Sequence, residues 1–286
     1  MNVSKLVDEA LAIETQAAKE AGALGYMARV LVQATMPHKS VPGTEFKRSN
    51  GAFTLTILSP SDVGLPYGTY PRLLLAWLTS EAVKTKSPEL VLGHTLSGFM
   101  NELGLIPAGG RWGTIGRLKD QMTRLFSSYV SCRMAAEMES MGVSFPVAFK
   151  YHLWWDPKLP EQAALWLSTV TLSQDFFREI IDRPVPIDMR ALKVLKRSPM
   201  ALDIYCWLTY RFSYLKNKTE IPWPALQAQF GAGYPGTVQG QRNFKKNFLK
   251  HLRSVLVVYP KAKAAEGSHG LLLNPSRSHV PQLPVH

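Results

Sequence analysis

The sequence predicts a mainly helical α+β protein in which two winged-helix (helix-turn-helix plus β-ribbon) units follow an N-terminal helix. Its 286 residues are 46% hydrophobic and 19% charged, a balance typical of globular chains. The same order of three helices and a two-stranded ribbon occurs twice, and Trp77-Leu78-Thr79 recurs as Trp207-Leu208-Thr209. We therefore divide the chain into an N-terminal helix with a basic linker (1–50), a first winged-helix domain (51–172) and a second, strongly basic one (173–286).

Before the first unit, residues 3–34 carry apolar side chains at helical spacing with charged residues between them, which predicts an amphipathic helix. Whether this helix dimerises or packs on its own chain stays open. Residues 36–51 combine proline, glycine and asparagine with Lys39, Lys47 and Arg48, which predicts a loop. Alternating apolar residues then predict a strand over 53–58.

Each predicted unit has three helices followed by a ribbon, the order of a winged helix-turn-helix. In the first unit the helices are predicted from Pro71, over 95–103 and over 114–126, and the strands over 129–134 and 143–153, joined by the acidic segment 137–139. In the second unit the helices are predicted from Pro199, from Pro224 and over 239–256, and the return strand at 271–273. Proline favours the first turn of a helix, where its missing N–H costs nothing.

The last of these helices carries two opposed stripes. Its apolar residues are Phe244, Phe248, Leu252 and Val255, and its basic residues are Arg242, Lys246, Lys250 and Arg253. The basic stripe precedes the apolar one by two residues, or about 200° around a helix, so the two lie on opposite faces. One face can pack on the domain while the other meets DNA.

The predicted contacts divide by chemistry. The side chains of Gln239, Gln241 and Asn243 suit adenine edges, and Arg242 suits guanine. Lys245, Lys246 and Lys250 suit phosphates, and Lys261 and Lys263 lie in the predicted wing. In the first unit the matching residues are Arg111, Arg117, Lys119 and Arg124. Asp120 interrupts them, so we expect the first unit to bind DNA more weakly or to divide its surface between DNA and protein.

The positive charge is confined to one region. From Arg183 to Lys263, 81 residues contain 15 Lys or Arg and three acids, Asp188, Asp203 and Glu220. The rest of the chain holds 18 basic and 18 acidic residues, so the formal charge of +12 comes entirely from this window. Such a localised excess indicates a surface for a polyanion, with a solubilising face as the alternative.

Other chemistry finds little support. Cys132 and Cys206 are far apart in apolar stretches, which predicts buried free thiols. We expect a cytoplasmic protein without a membrane span, metal, cofactor or catalytic residue. Residues 231–236 match G-x-G-x-x-G, but a predicted helix precedes them, so we interpret them as a helix-turn-helix connection. Tyr210 and Tyr214 have a spacing that some DNA-nicking enzymes use, without a close histidine pair.

Several blocks of residues resemble the RepA-type plasmid replication initiators. They lie between about residues 53 and 260 and include Gly64–Gly68 (GLPYG), Pro71–Leu78 (PRLLLAWL), Leu96–Leu105 (LSGFMNELGL), Gly109–Gly113 (GGRWG), Pro184–Asp188 (PVPID) and Trp207–Arg211 (WLTYR). The match also takes in residues 117–126, Arg190–Leu192 and Ser198-Pro199.

The resemblance implies a bacterial protein that binds repeated double-stranded DNA sites (iterons) in a plasmid origin and helps to open an adjacent AT-rich region. It also implies recruitment of a host initiator and the replicative helicase, repression of its own promoter, and dimerisation coupled to copy control. Two alternatives stay open from the residues alone: a winged-helix transcriptional repressor, and an origin-nicking enzyme that uses Tyr210 or Tyr214.

Overall fold

The N-terminal segment forms a strand and a short helix between the two halves of the molecule. The computed structural model describes residues 9–14, 16–111, 113–135, 140–164, 166–231 and 233–281. Residues 9–14 are helical, β1 spans Leu24–Met27 and α1 spans Arg29–Gln33. β1 pairs antiparallel with β9, Val185–Asp188.

The prediction of one helix over residues 3–34 is therefore wrong where the structure describes the chain; residues 1–8 and 15 lie outside the described part. Gly22 has a positive φ of 63°, which favours glycine and ends any helix there. Gly25 lies so close to Met189 that a Cβ on it would be 2.5 Å from the Met189 sulfur. Pairing with a distant strand thus overrides the local helical pattern.

A four-stranded antiparallel sheet, which we call the inserted sheet, has the order β2-β3-β5-β6. Its strands are β2 (Glu45–Asn50), β3 (Phe53–Leu58), β5 (Tyr129–Ala135) and β6 (Ser140–Pro146). The strand predicted over 53–58 is confirmed, but the loop predicted over 36–51 is wrong from Glu45 onward. Phe46 and Arg48 are buried while Glu45 and Lys47 are exposed, so β2 alternates as a half-buried strand does.

Two further parts of the chain share one topology. The first unit comprises α2 (Tyr70–Thr85), β4 (Glu89–Val91), α3 (Leu96–Glu102), α4 (Thr114–Phe126), β7 (Ala148–His152) and β8 (Thr169–Leu172). The second unit comprises α7 (Pro199–Phe212), β10 (Thr219–Pro222), α8 (Trp223–Phe230), α9 (Val238–Val258), β11 (Ala264–Glu266) and β12 (Gly270–Leu273). In both, the last strand lies between the other two, giving the sheet orders β4-β8-β7 and β10-β12-β11.

The predicted helices of both units are present, but the predicted ribbon of the first unit is wrong. Residues 129–134 belong to β5, and the predicted strand 143–153 divides between β6 and β7. Tyr129, at the start of the predicted ribbon, lies on β5 and is 41% exposed. The acidic segment 137–139 lies outside the described residues. Two strands of the inserted sheet, β5 and β6, thus lie in the sequence between α4 and the next strand of the first unit, β7. No local sequence pattern indicates this insertion.

Between the units lies a linker of α5 (Gln174–Asp182), β9 and α6 (Met189–Leu195), which the sequence did not predict. Local caps explain several helix starts: the hydroxyl groups of Thr95, Ser173, Ser198 and Thr237 each accept a hydrogen bond from a backbone N–H of the following turn. Pro71 and Pro199 occupy the first turns of α2 and α7. The first helices of the two units therefore share a proline in the first turn, but only α7 also has a side-chain cap.

A buried ion pair joins these two helices. The Arg72 guanidinium on α2 contacts the Asp203 carboxylate on α7 with its Nε and Nη2 atoms, each 2.7 Å from a carboxylate oxygen. His38 Nε2 lies 2.7 Å from the same carboxylate. Burial alone would raise the pKa of Asp203, but Arg72 and His38 offset it and hold that pKa below its ordinary value.

The core side of α9 generates a stability prediction. Phe248 is fully buried and packs against Trp223 and Phe230, with ring centroids 6.0 and 5.5 Å away. Phe248→Ala should lower the free energy of unfolding by about 3 kcal/mol or more, because it leaves a cavity. The exposed Lys246 on the same helix is the control, and Lys246→Ala should change stability by less than about 0.5 kcal/mol. Urea denaturation measures both; equal losses would contradict the assignment of faces.

A second prediction concerns His279 in the segment after β12. The Tyr205 hydroxyl and His279 Nδ1 share a hydrogen bond of 2.7 Å, and burial lowers the pKa of His279 to about 4. Protonation then favours the unfolded chain, so stability is complete above about pH 6.5 and falls as the pH drops towards 4. The loss from this group is at most about 3 kcal/mol.

Comparison of the parent with His279→Asn in urea between pH 7.5 and 4 isolates this contribution. Burial also lowers the pKa values of His38 and His251, but both residues are present in the two proteins. We expect the stability of the variant to depend less steeply on pH. Parallel curves would show that His279 titrates normally.

Candidate nucleic-acid interface

The helix α9 presents one buried and one exposed face along its 21 residues. The buried residues include Phe244, Phe248, Leu252 and Val255, which confirms the predicted apolar stripe. The exposed basic residues are Arg242, Lys246, Lys250 and Arg253, which occupy the opposite face. Among the described residues, no carboxylate lies within ion-pair distance of these four cations. Their charge is therefore available to an anion in solution.

Close packing holds the start of α9 in place. The Thr237 hydroxyl accepts a hydrogen bond from Gly240 N at 3.1 Å. A Cβ on Gly240 would lie 2.0 Å from the Pro235 carbonyl oxygen, so only glycine fits here. Asn247 donates to the Tyr234 hydroxyl at 2.8 Å. These contacts hold residues 234–237 against the helix. The G-x-G-x-x-G sequence falls between α8 and α9, and its Ala232 lies outside the described residues.

The amide residues predicted to contact bases lie at this fixed start. Gln239 and Asn243 are exposed, and Gln241 is half-buried. Gln239 Nε2 donates to Asn243 Oδ1 at 3.0 Å, one turn along the helix. Their remaining donors and acceptors, together with the exposed Arg242 guanidinium, form a polar surface that can pair with base edges.

Lys245 differs from its neighbours because it has a partner within the protein. Its Nζ lies 2.7 Å from Glu266 Oε1 on β11 and 5.1 Å from the centre of the Trp223 ring. This half-buried ion pair joins α9 to the sheet of its unit. Of the three lysines predicted to contact phosphates, Lys245 thus already has an internal role, whereas Lys246 and Lys250 are exposed.

A second cationic cluster lies beside the sheet of the second unit. Lys261 and Lys263 are exposed just before β11, and Arg277 from the following segment shares an open depression with them. Arg277 was not predicted, because it lies beyond the basic window in a short polar stretch without periodicity. Three converging cations can hold a phosphate more strongly than the two predicted.

The first unit places its predicted residues differently. Arg111 and Lys119 are exposed, and so is Arg117, whose Nε donates to Gly113 O at 3.2 Å. Arg124 is half-buried, pairs with Asp120 at 2.9 Å and donates to Leu65 O at 3.3 Å. Arg124 therefore holds the loop before α2. Of the four cations predicted to contact DNA in this unit, the other three face solvent.

Part of the positive charge in and next to the linker is used inside the protein. Arg190 forms a bidentate pair with the buried Asp188, at 2.7 Å for the shortest contact. The Lys196 ammonium donates to the Gly104 carbonyl of the first unit. Arg183 lies 3.6 Å from Asp182, but both side chains are exposed. The 15 cations of the basic window therefore do not form one surface. The largest exposed group lies on α9 and near β11, and other exposed cations of the window, such as Lys193 and Lys216, lie elsewhere.

Other predicted chemistry can be located as well. Cys132 and Cys206 are buried free thiols, as predicted, and burial raises the pKa of Cys132 to about 12. The rings of Tyr210 and Tyr214 lie 5.1 Å apart, and Arg211 donates to the Tyr214 hydroxyl at 2.9 Å. Within the described ranges, no three His, Cys, Asp or Glu side chains form a group that could hold a metal ion. No helix in those ranges is long and apolar enough to span a bilayer.

Solved structures share this fold. The crystal structure of RctB domains 2–3 (RctB-155-483) superposes with a TM-score of 0.51 at 11% identity, covering 85% of this chain and 94% of that one. A selenomethionine derivative of domains 2 and 3 of RctB gives a TM-score of 0.53 at 12% identity, covering 88% and 96%. At such low identity the likeness shows the fold alone. No curated protein matches the sequence.

The family model described as plasmid-encoded RepA protein matches residues 65–223. This range begins in the loop before α2 and continues through the first unit, the linker and α7 to the start of α8. It covers more than half of the chain and includes most of the blocks whose resemblance was noted above. The chain therefore belongs to the family of plasmid-encoded RepA proteins, which are replication initiators.

Proposed function

We propose that this chain initiates plasmid replication as a non-enzymatic protein that binds double-stranded DNA through two winged-helix units, with α9 as the main recognition helix. The observation that carries the proposal is the exposed face of α9, where Arg242, Lys246, Lys250 and Arg253 lie opposite a buried apolar face. A rigid helix with cations on its outer face matches the width and charge of a major groove.

The topology of both units supports this proposal. Helix, strand, helix, helix and two strands, with the last strand in the middle of the sheet, is the arrangement of a winged helix. In it, α9 and α4 are the third helices, the position from which helix-turn-helix domains read DNA. The two proposed wings differ: that of the second unit has Lys261 and Lys263 at its base, whereas that of the first unit exposes Trp154 and Trp166.

From these differences we infer that the two units contribute unequally to DNA binding. The second unit supplies most of the phosphate contacts and reads bases with Gln239, Arg242 and Asn243. The first unit, with Arg111, Arg117 and Lys119, adds a weaker contact to an adjoining part of the site. From the family resemblance we further propose direct repeats (iterons) as the DNA, a host initiator and the replicative helicase as partners, the bacterial cytoplasm as the compartment, and a homodimer linked to copy control.

Footprinting on the DNA that flanks the gene, at several salt concentrations, tests the function. We expect protection of evenly spaced direct repeats, each longer than the footprint of one winged helix. With about six phosphate contacts, log affinity should fall with a slope of about −5 against log salt. A single protected promoter site would instead favour a repressor, and a salt-independent affinity would contradict the assigned surface.

Single substitutions test the recognition face. Lys246→Ala should reduce the salt slope by about 1, because one phosphate contact is lost. Arg242→Ala should weaken specific binding about tenfold and relax the preference at one base pair. Lys84→Ala is the matched control, since it removes the same charge from an exposed site on α2. Equal losses in all three proteins would mean that net charge, not this face, determines binding.

A nicking assay tests the non-enzymatic part of the proposal. We expect supercoiled plasmid that carries the flanking DNA to stay intact with the purified chain and Mg²⁺. Metal-dependent cleavage that disappears in Tyr210→Phe or Tyr214→Phe would contradict the non-enzymatic proposal. Tyr214 is exposed, so its hydroxyl is accessible to DNA.

A further inference from the structure

The Arg72–Asp203 pair joins residues 131 positions apart and connects the first helices of the two units. Arg72 is 3% exposed and Asp203 is 9% exposed, so water screens the pair little. Both carboxylate oxygens accept from the guanidinium, which fixes their relative direction as well as their distance. The pair is therefore directional in a way that apolar contacts are not.

Arg72 uses its full hydrogen-bonding capacity at this place. Besides Asp203, it donates to the carbonyl oxygens of Met36 at 2.7 Å, Pro37 at 3.2 Å and Gly68 at 2.7 Å. These five bonds match the five N–H donors of a guanidinium. The N-terminal segment, the loop before α2 and the second unit thus meet at one side chain, and a rotation of one unit would break several bonds together.

A second group of contacts connects the inserted sheet with α8, the helix before α9. The buried Arg48 on β2 donates to the Gln229 carbonyl oxygen at 2.6 Å, and Thr35 donates to the same oxygen at 3.3 Å. Gln229 lies in the last turn of α8, where carbonyl groups lack helical partners. A Cβ on Gly231, the next residue after α8, would lie 2.8 Å from the Phe244 ring of α9. The orientation of α9 is therefore coupled to the inserted sheet.

Stability alone does not account for these buried charges. A buried ion pair often contributes no more to stability than well-packed apolar side chains of the same volume, because desolvation offsets the attraction. The junction also contains Arg48, whose pKa burial lowers to about 10, although the charge of Asp203 partly offsets this shift; Asp203 itself contacts Arg72. What the arrangement supplies is one defined orientation between the units.

We propose that Arg72 and Asp203 are positioning residues that hold α4 and α9 at a fixed separation and angle, so that the chain recognises only DNA sites with one spacing between their two halves. This inference rests on the proposed function. Each added base pair moves the half-sites about 3.4 Å apart and rotates them by about a tenth of a turn. A rigid chain cannot follow that change, whereas a loosened one can.

The first experiment tests the rigid junction without DNA. Spin labels at Lys158→Cys in the first unit and Asn217→Cys in the second, both exposed positions, report the distance between the units. Cys132 and Cys206 are buried and stay unlabelled. We expect one narrow distance distribution in the parent and a broad one in Arg72→Lys, which keeps the charge but loses the bidentate geometry. Asp203→Asn provides a second variant.

Asp188→Asn is the matched control. It also removes a buried aspartate from an arginine pair, but its partner Arg190 is only two residues away, so it does not connect α2 with α7. Its distance distribution should stay narrow. Folded Arg72→Lys and Asp203→Asn proteins that both keep the parent distribution would overturn the proposal.

The second experiment measures spacing on DNA. The probe is a duplex selected from a random library by the parent chain, with one to five base pairs inserted between the halves that footprinting defines. We expect a five-base-pair insertion to weaken parent binding about a hundredfold and variant binding less than about tenfold. A variant with the parent's spacing preference would contradict the positioning role. A library that enriches no duplex would refute the proposed function and the spacing role, while the distance measurement would still decide whether the junction is rigid.

Discussion

The contact between Arg72 and Asp203 is the interaction on which the arrangement of the two units depends. One continuous apolar core runs through both units, and the N-terminal segment contributes residues to it. Apolar packing resists separation but tolerates small rotations, because dispersion has little directional preference. A bidentate pair with both partners buried does not tolerate them, since rotation would leave a charge without a partner in a region that excludes water. The relative placement of α4 and α9 is therefore determined away from the surface that they present.

The positive charge is distributed differently in the structure than along the sequence. Counted along the sequence, the basic window suggests one continuous cationic surface. In the structure Arg190 pairs with Asp188 within the linker, Lys196 connects the linker to the first unit, and Lys245 joins α9 to β11. The largest group of exposed cations lies on α9 and beside β11. The positive charge of this region thus has two roles. Some cations pair within the protein and connect its elements, and others are exposed to solvent without an internal partner among the described residues.

Local patterns predict the helices but not the partners of the strands. The apolar stripe of α9 and the proline at the start of α2 and of α7 are visible in a few consecutive residues, and those helices are present. β2 was missed because the charge of Arg48 indicates a loop, although a carbonyl of α8 lets that side chain be buried. β1 depends on β9, and the first unit's sheet is interrupted by two inserted strands. The Arg72–Asp203 pair was equally inaccessible, since each residue is a single charge in an apolar helix whose partner only the fold identifies.

Arg48 shows how the inserted sheet and the second unit depend on each other. The last turn of α8 carries the negative end of the helix dipole, and its carbonyl groups need donors. Arg48 and Thr35 supply them to Gln229 from outside the second unit. Burial of the Arg48 guanidinium next to Arg72 is unfavourable, so this cap costs stability that the surrounding packing must offset. A second unit separated from the inserted sheet would lose the cap at α8, and the start of α9 packs directly on that helix. The position of the exposed face of α9 is thus a property of the whole chain, although its side chains come from one unit.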